Sequence, residues 1–361
     1  MSDKLPQLRK KIDALDEQIQ ELISQRAQVA VDVAEAKSEG GANETSFYRA
    51  EREAEVLAKV KSRNQGPLPD QEVARLFREI MSACLALEQV MSIAYLGPEG
   101  TYTQAAALKH FGHSVNTMPQ ASIADVFREV ESSNAAYGVV PVENSTEGMV
   151  THTLDEFMNS SLHICGEVEL RIHHCLLSLA DDVSSIKKVY SHRQSLGQCH
   201  RWLDVNLAGV ERIDVSSNAE AAKRAAEEKD SAAIAGEAAA GIYVLNTLAN
   251  NIEDETDNTT RFIVIGKRET PPCGKDKTSM LIYTENKPGA LYNILAPFSN
   301  NNVSMTRIES RPSRRGMWNY VFFIDIEGHQ SDASVAAALT ALQKEANMVK
   351  VLGSYPKAVI L

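Results

Sequence analysis

Between Pro6 and Pro67 the chain has no proline, and its apolar residues fall in strict 4-3 steps. Leu8, Ile12, Leu15, Ile19, Leu22, then Val29 and Val33 keep to one stripe at helical spacing. This restricts the segment to one long amphipathic helix, ending near Gly40–Gly41. A second helix fits Phe47 to Arg63. The loop QGPLPD then leads to a third carrying Val73, Leu76, Phe77, Ile80 and Cys84. The first 90 or so residues are therefore all-helical.

Continuing the 4-3 count past Leu22 brings Arg26 onto the apolar seam. Lys37 follows eleven residues later on nearly the same face, roughly 16 Å along the axis. Two long side chains so placed could clamp a small dianion. Arg9 lies roughly 25 Å back on a different face, so it would serve the site of a partner subunit. A dimer of interlocked helices follows if all three act.

From Ser92 the texture changes. SIAYLG, AAYGVVPVEN, KKVYSH, SAAIAG and RFIVIG read as strands, and TQAAALKHFG, the segment after Gly148, LGQCHRWLDV and EAAAGIYVLN as helices between them. Such alternation implies α/β units with a largely parallel sheet, whose ligands sit at the carboxyl ends of strands. Three strand ends run into small and polar residues that open a helix: YLGPEGTYTQAA, GVVPVENSTEG and SHRQSLGQC. With NTTRF at 258–262 they suggest a polar ring around a cleft. After the linker-like RETPPCGKDK the order is strand, helix, strand, strand, helix, strand, the ferredoxin-like βαββαβ.

The formal charge of −11 on 361 residues argues against nucleic acid or an anionic membrane as partner. Five scattered cysteines without a CxxC pair fit reduced thiols, and no apolar run is long enough to span a bilayer. A cytoplasmic protein is the simplest expectation.

LRKKIDALDEQIQELISQRAQVAVDVAEAK with FYRAEREAEVL resembles the all-helical chorismate mutase family. The resemblance implies that Arg26, Lys37 and Arg52, with Arg9 from the other subunit, hold the carboxylates of chorismate. It gives Glu53 the substrate hydroxyl, and Lys37 with Glu88 the breaking ether oxygen during rearrangement to prephenate. Glu88 stands where some members have glutamine, so its donor role requires the protonated acid. Cys84 stands where serine can occur, and Arg49 where aspartate can.

GPEGTYTQAA, VENSTEG, SHRQ, GQC and NTTRF resemble prephenate dehydratase over roughly 92–272. By that match Thr260 is the acid that protonates the leaving C4 hydroxyl, and Thr259 is its neighbour. Glu143, Asn144, Ser191, Gln198 and Arg261 would bind the substrate. Arg193 stands where the family often has proline. ENKPGALYNIL and RIESRPSRRGMWNY resemble the ACT domain, which implies a phenylalanine site at Gly289, Ala290, Leu291, Glu309, Ser310, Arg311 and Pro312.

The expected architecture is thus multidomain. An all-α helical mutase unit (1–91) precedes a two-lobed, periplasmic-binding-like α/β dehydratase unit (92–272) and an α+β ferredoxin-like ACT unit (276–361). Together they resemble the bifunctional chorismate mutase/prephenate dehydratases, acting on chorismate and prephenate and inhibited by phenylalanine. A homodimer or higher homo-oligomer follows, with neither metal nor organic cofactor. The alternatives are a dehydratase preferring arogenate with a weak mutase, and a non-catalytic amino-acid-binding regulator.

Overall fold

The computed structural model describes residues 4–39, 48–312 and 320–358. Three helices come first: α1 (Lys4–Glu39), α2 (Ala50–Arg63) and α3 (Asp70–Glu88). Unbroken 4-3 spacing lets α1 run for 36 residues, with Pro6 in the first turn, where its missing N–H costs no hydrogen bond. Both α1 and α2 pack on α3. The α1 stripe has no cover: Leu8, Ile12, Leu15, Ile19, Leu22, Val29 and Val33 are each 45–63% exposed. The second helix starts at Ala50 rather than Phe47, which lies outside the described residues. Arg49 occupies its cap position and makes no side-chain cap bond. An aspartate there would accept from the first N–H groups, which a guanidinium cannot do.

The first lobe of the middle unit runs β1 (Ser92–Leu96), α4 (Tyr102–Phe111), β2 (Asn116–Gln120), α5 (Ile123–Glu131), β3 (Tyr137–Asn144), β4 (Gly148–Met149), α6 (Thr151–Asn159) and β5 (His163–Arg171). The chain then crosses into a second lobe: β6 (Cys175–Ser178), β7 (Lys188–Ser191), α7 (Arg193–Gln198), α8 (His200–Asn206), β8 (Glu211–Asp214), α9 (Asn218–Ala225), β9 (Ser231–Ala235), α10 (Glu237–Tyr243) and β10 (Asn246–Ala249). It returns as β11 (Thr259–Gly266) into the middle of the first sheet, whose order is β2-β1-β3-β11-β5 with β4 on β3. The second sheet is β10-β6-β9-β7-β8.

Both sheets are mixed, which corrects the expected largely parallel arrangement. β1 runs parallel to β2 and β3, but the returning β11 runs antiparallel to both β3 and β5. In the second lobe β7 is parallel to its neighbours, whereas β6 is antiparallel to β9 and β10.

The last unit is β12 (Asp276–Thr284), α11 (Ala290–Asn300), β13 (Met305–Pro312), β14 (Tyr320–Glu327), α12 (Ala333–Glu345) and β15 (Met348–Pro356). Its sheet order, β13-β14-β12-β15, is the ferredoxin-like one. One face packs on its own helices through Ile282, Ile294, Phe298 and Leu342. The other shares a core with the first lobe, where Leu281, Phe323 and Leu352 meet Phe127, Phe157 and Ile263. Close approach is built in at Gly353. A Cβ there would sit 2.2 Å from the Ile164 carbonyl oxygen, so only glycine lets β15 lie against β5.

Candidate active sites and effector pocket

A cleft of about 570 Å³ opens between the two lobes of the middle unit. Thr260 lies on its floor, 8% exposed, because the antiparallel register sets it opposite Asn144. Both amide hydrogens of Asn144 are committed, to Thr260 Oγ1 at 2.8 Å and Asn258 Oδ1 at 2.7 Å. Its Oδ1 accepts the backbone N–H groups of Thr146 and Glu147, both at 3.0 Å, so the amide cannot turn over. Since Thr260 accepts from Asn144, its own proton is left for whatever occupies the cleft.

The chain of bonds continues. Asn258 Nδ2 donates to Gln198 Oε1 at 3.2 Å, and His174 Nε2 reaches the same oxygen at 2.8 Å. Burial pushes His174 below the ordinary histidine value, against the opposing bond to Gln198. The Tyr102 hydroxyl lies 2.9 Å from His174 Nδ1 and 2.8 Å from the His173 carbonyl oxygen, and its single proton serves one of the two at a time. Asn258, His174 and Tyr102 were not singled out from the sequence, although Asn258 opens NTTRF and Tyr102 lies in GTYTQ. Among the described residues no arginine or lysine lines the cleft. Two helix starts, those of α4 and α9, capped by Thr101 and Ser217, open on it and bring the positive ends of their dipoles.

Two residues expected to bind substrate do not line this cleft. Strand neighbours point to opposite faces, so Glu143 and Arg261, adjacent to Asn144 and Thr260, face the ferredoxin-like unit. Arg307 Nη1 donates to Glu143 Oε2 at 2.5 Å. Arg261 is 9% exposed and donates from Nε to Glu167 at 2.8 Å, from Nη1 to Asp325 at 2.6 Å, and from Nη2 to the Tyr355 hydroxyl at 2.8 Å. Thr259 also lies off the cleft, its amide held by Ser145 Oγ at 3.0 Å.

Gln198 lines the cleft at the end of α7, but Ser191 is buried behind it. The Ser191 hydroxyl lies 3.0 Å from Asn218 Oδ1, and Asn218 Nδ2 donates to Ser195 at 2.8 Å, so Ser191 fixes a lining amide from below. Arg193 is the first residue of α7. Proline suits that position because its missing N–H is an unpaired one anyway, and arginine is tolerated there for the same reason.

In the helical unit Lys37 and Glu88 come together, with Nζ and Oε2 4.0 Å apart. That Glu88 oxygen is buried without a hydrogen-bond partner, and Cys84 one turn earlier is 4% exposed. Arg9 and Arg26 are exposed, and Arg52 is exposed and paired with Glu55 at 3.0 Å. Glu53 departs from expectation. Its carboxylate receives Arg78 Nε at 2.9 Å in a seam against the middle unit, beside Tyr48, Lys109 and His110. Burial raises Glu53 above the ordinary carboxylate value despite Arg78.

In the ferredoxin-like unit a pocket of about 310 Å³ is lined by Gly289, Ala290, Leu291 and Ser310, with Lys287 and Tyr320. Gly289 precedes α11 at φ +80°, a left-handed turn that glycine adopts freely. Glu309, Arg311 and Pro312 do not line this pocket. Arg311 instead donates to the Thr151 carbonyl at 2.8 Å and Asp155 at 2.6 Å, on the helix at the cleft mouth.

A helical unit with a half-buried lysine–glutamate pair, a polar cleft floored by one threonine and a ferredoxin-like pocket define a multidomain enzyme with an attached small-ligand unit. Residues 8–89 match the family model for chorismate mutase type II, 93–270 that for prephenate dehydratase and 278–343 that for the ACT domain. A bifunctional chorismate mutase/prephenate dehydratase from Pseudomonas aeruginosa is 56% identical, covering 99% of each chain. The enzyme of that description from Escherichia coli K12 is 33% identical over 97% of this chain and 95% of its own. A prephenate dehydratase from Arthrobacter aurescens, solved with L-Phe, superposes with a TM-score of 0.69 at 34% identity, covering 74% of this chain and 90% of that one. The chain belongs to the bifunctional chorismate mutase/prephenate dehydratase family.

Proposed function

We propose that the chain catalyses two consecutive steps, rearranging chorismate to prephenate in the helical unit and converting prephenate to phenylpyruvate in the cleft. Taken as units, 1–91, 92–272 and 276–361 carry the mutase, the dehydratase and the effector site. The hydrogen bond from Asn144 to Thr260 carries the dehydratase reading, because it turns the Thr260 proton toward the substrate. In the reaction the C4 hydroxyl leaves with that proton as water. The ring carboxylate leaves as carbon dioxide, and its bonding pair completes the aromatic ring. Aromatisation drives the step, so a weak acid in the right place suffices. The Asn144 N–H bond strengthens as charge builds on Thr260 Oγ1. Backbone N–H groups at the starts of α4 and α9 and the lining amides, Gln198 among them, take the carboxylates.

In the mutase no proton moves. Arg26, Lys37, Arg52 and a partner's Arg9 capture the diacid in a reactive conformation, while Lys37 and a protonated Glu88 stabilise the breaking ether oxygen. The uncovered α1 stripe supports a homodimer. Phenylalanine in the pocket at Gly289 and Ser310 inhibits the dehydratase if it binds one arrangement of the cleft more tightly than the other. Unpaired cysteines fit the cytoplasm.

The test is to supply purified protein with chorismate, prephenate or arogenate and follow product with and without phenylalanine. Phenylpyruvate from the first two, suppressed by phenylalanine, is the expected result. Faster turnover of arogenate would reassign the cleft, and no turnover of any would leave a binding protein.

A further inference from the structure

The strand pair β3–β11 has two working faces. On one, Asn144 and Thr260 meet the cleft; on the other, Glu143 and Arg261, again directly opposed in register, hold the ACT unit. Around Arg261 the bonds close on themselves. Nη2 donates to Tyr355, whose hydroxyl lies 2.6 Å from Ser279 Oγ. Ser279 donates to Asp325 Oδ1 at 2.5 Å, and Asp325 Oδ2 receives Arg261 Nη1. Glu167 takes the remaining Nε–H and also receives Lys277 at 2.8 Å, so two cations balance two carboxylates. Three of the ring's four members come from three different strands of the ACT sheet; the fourth is the residue after Thr260.

The ladder itself leaves a gap at this point. The register of β11 on β3 shifts between Arg261 and Phe262, one residue beyond Thr260. A bulge beside a functional residue loosens its aim on that side, while on the other side β11 keeps an unbroken register with β5 from Thr259 to Val264. On the loosened β3 side the closed ring on the opposite face adds the constraint that the ladder lacks. A small void of about 30 Å³ lies against Arg261, Ser279, Asp325 and Arg307, leaving room for a slight repacking.

We infer that Arg261 is a positioning residue for Thr260, and that the ACT unit governs the dehydratase by setting, through Asp325, Tyr355 and Ser279, how Arg261 holds the strand. The part concerning the effector rests on the reading of the ACT pocket as a phenylalanine site; the positioning part does not. Because Arg261 touches no substrate, loosening the ring changes turnover and leaves substrate affinity alone.

Arg261→Ala leaves the buried Asp325 without a cation and Glu167 with Lys277 alone, so it tests folding more than aim. The informative variants are Tyr355→Phe, which deletes one hydroxyl, Asp325→Asn, and Arg261→Lys as the conservative replacement. For each, kcat and KM for prephenate are measured, with chorismate turnover as a check on the fold and phenylalanine binding followed by calorimetry apart from inhibition. The expected result is a kcat lowered about tenfold in Asp325→Asn and less in Tyr355→Phe, with KM within about twofold. Arg261→Lys should retain more activity than Arg261→Ala. Phenylalanine should bind Asp325→Asn yet inhibit it at least about fivefold less effectively. Folded Asp325→Asn and Tyr355→Phe proteins with wild-type kcat would overturn the proposal, as would a loss confined to KM. If wild type neither binds nor responds to phenylalanine, the effector reading fails, and the kcat of the variants alone decides the positioning role.

Discussion

The two catalytic regions are built to different degrees of completion within one chain. In the cleft every orienting group is present: Thr146 and Glu147 hold Asn144, Asn144 holds Thr260, and Asn258 ties both to Gln198 and His174. In the helical unit Lys37 and Glu88 meet, while Arg9, Arg26 and the α1 stripe from Leu8 to Val33 face outward. A sheet sets side chains against one another through its own ladder, so two strands and a return crossing suffice. A lone helix with one apolar stripe cannot cover that stripe, and in the proposed homodimer completing its site falls to another copy.

The widest separation between the two regions should come from their reacting groups. Thr260→Val removes the acid, and prephenate turnover is expected to fall at least about a hundredfold. Chorismate rearrangement should stay within about twofold. Lys37→Ala should do the converse, costing the mutase about a hundredfold and sparing the cleft. Coupled losses in either variant, measured in separate assays of each step, would break the comparison. Next comes the stripe. Leu15→Asp with Leu22→Asp burdens only the α1 surface, so chorismate turnover should drop about tenfold or more as the proposed dimer is lost. Prephenate turnover should hold within about threefold. An unchanged mutase rate together with an unchanged sedimentation coefficient would show that the stripe covers nothing.

How much of this was legible beforehand depended on whether the signal was local. The stripe on α1 and the βαββαβ order could be read because periodicity acts within one segment. β5 was missed because HICGEVELR carries charges in its interior, and Glu167 is buried only because Arg261 and Lys277 reach it from elsewhere. The mixed sheet was missed because β11 returns from another lobe, which no local pattern encodes. Thr260 and Asn144 were named by resemblance and lie together in the cleft, whereas Asn258, His174 and Tyr102 join them only through that crossing. Glu143 and Arg261 were assigned to the cleft for being next to the right residues. Strand alternation, already in the sequence, would have put them on the opposite face. Glu53 was misplaced for a comparable reason, since which way α2 faces is decided by Arg78 on α3.

The contrast can be sharpened through pH. If Glu88 donates to the ether oxygen, only its protonated form works, so the mutase rate falls as pH rises, by up to about tenfold per unit once the acid ionises. Glu88→Gln donates at every pH and should flatten the profile. A rate profile of the variant that still tracks wild type would remove Glu88 from the chemistry. The cleft has no such requirement if its acid is the Thr260 hydroxyl, as proposed.

The smallest effect is expected where the two regions touch. His110 lies in their seam, its ring bonded to Tyr48 at 3.0 Å, and burial beside Arg78 pushes its pKa down to about 3. In the unfolded chain it protonates near 6.5, so the unfolded state takes up the proton first as pH falls. The stability this histidine contributes is complete above that value and is lost between about 6.5 and 3, at about 1.4 kcal/mol per pH unit. His110→Gln cannot protonate, so its unfolding midpoint should fall less steeply between pH 6.5 and 5 than that of wild type. Parallel slopes would mean that the seam opens before the rest of the molecule unfolds. The mutase and dehydratase units would then be joined loosely enough for water to reach His110, and the buried Glu53–Arg78 pair would lie on a hinge.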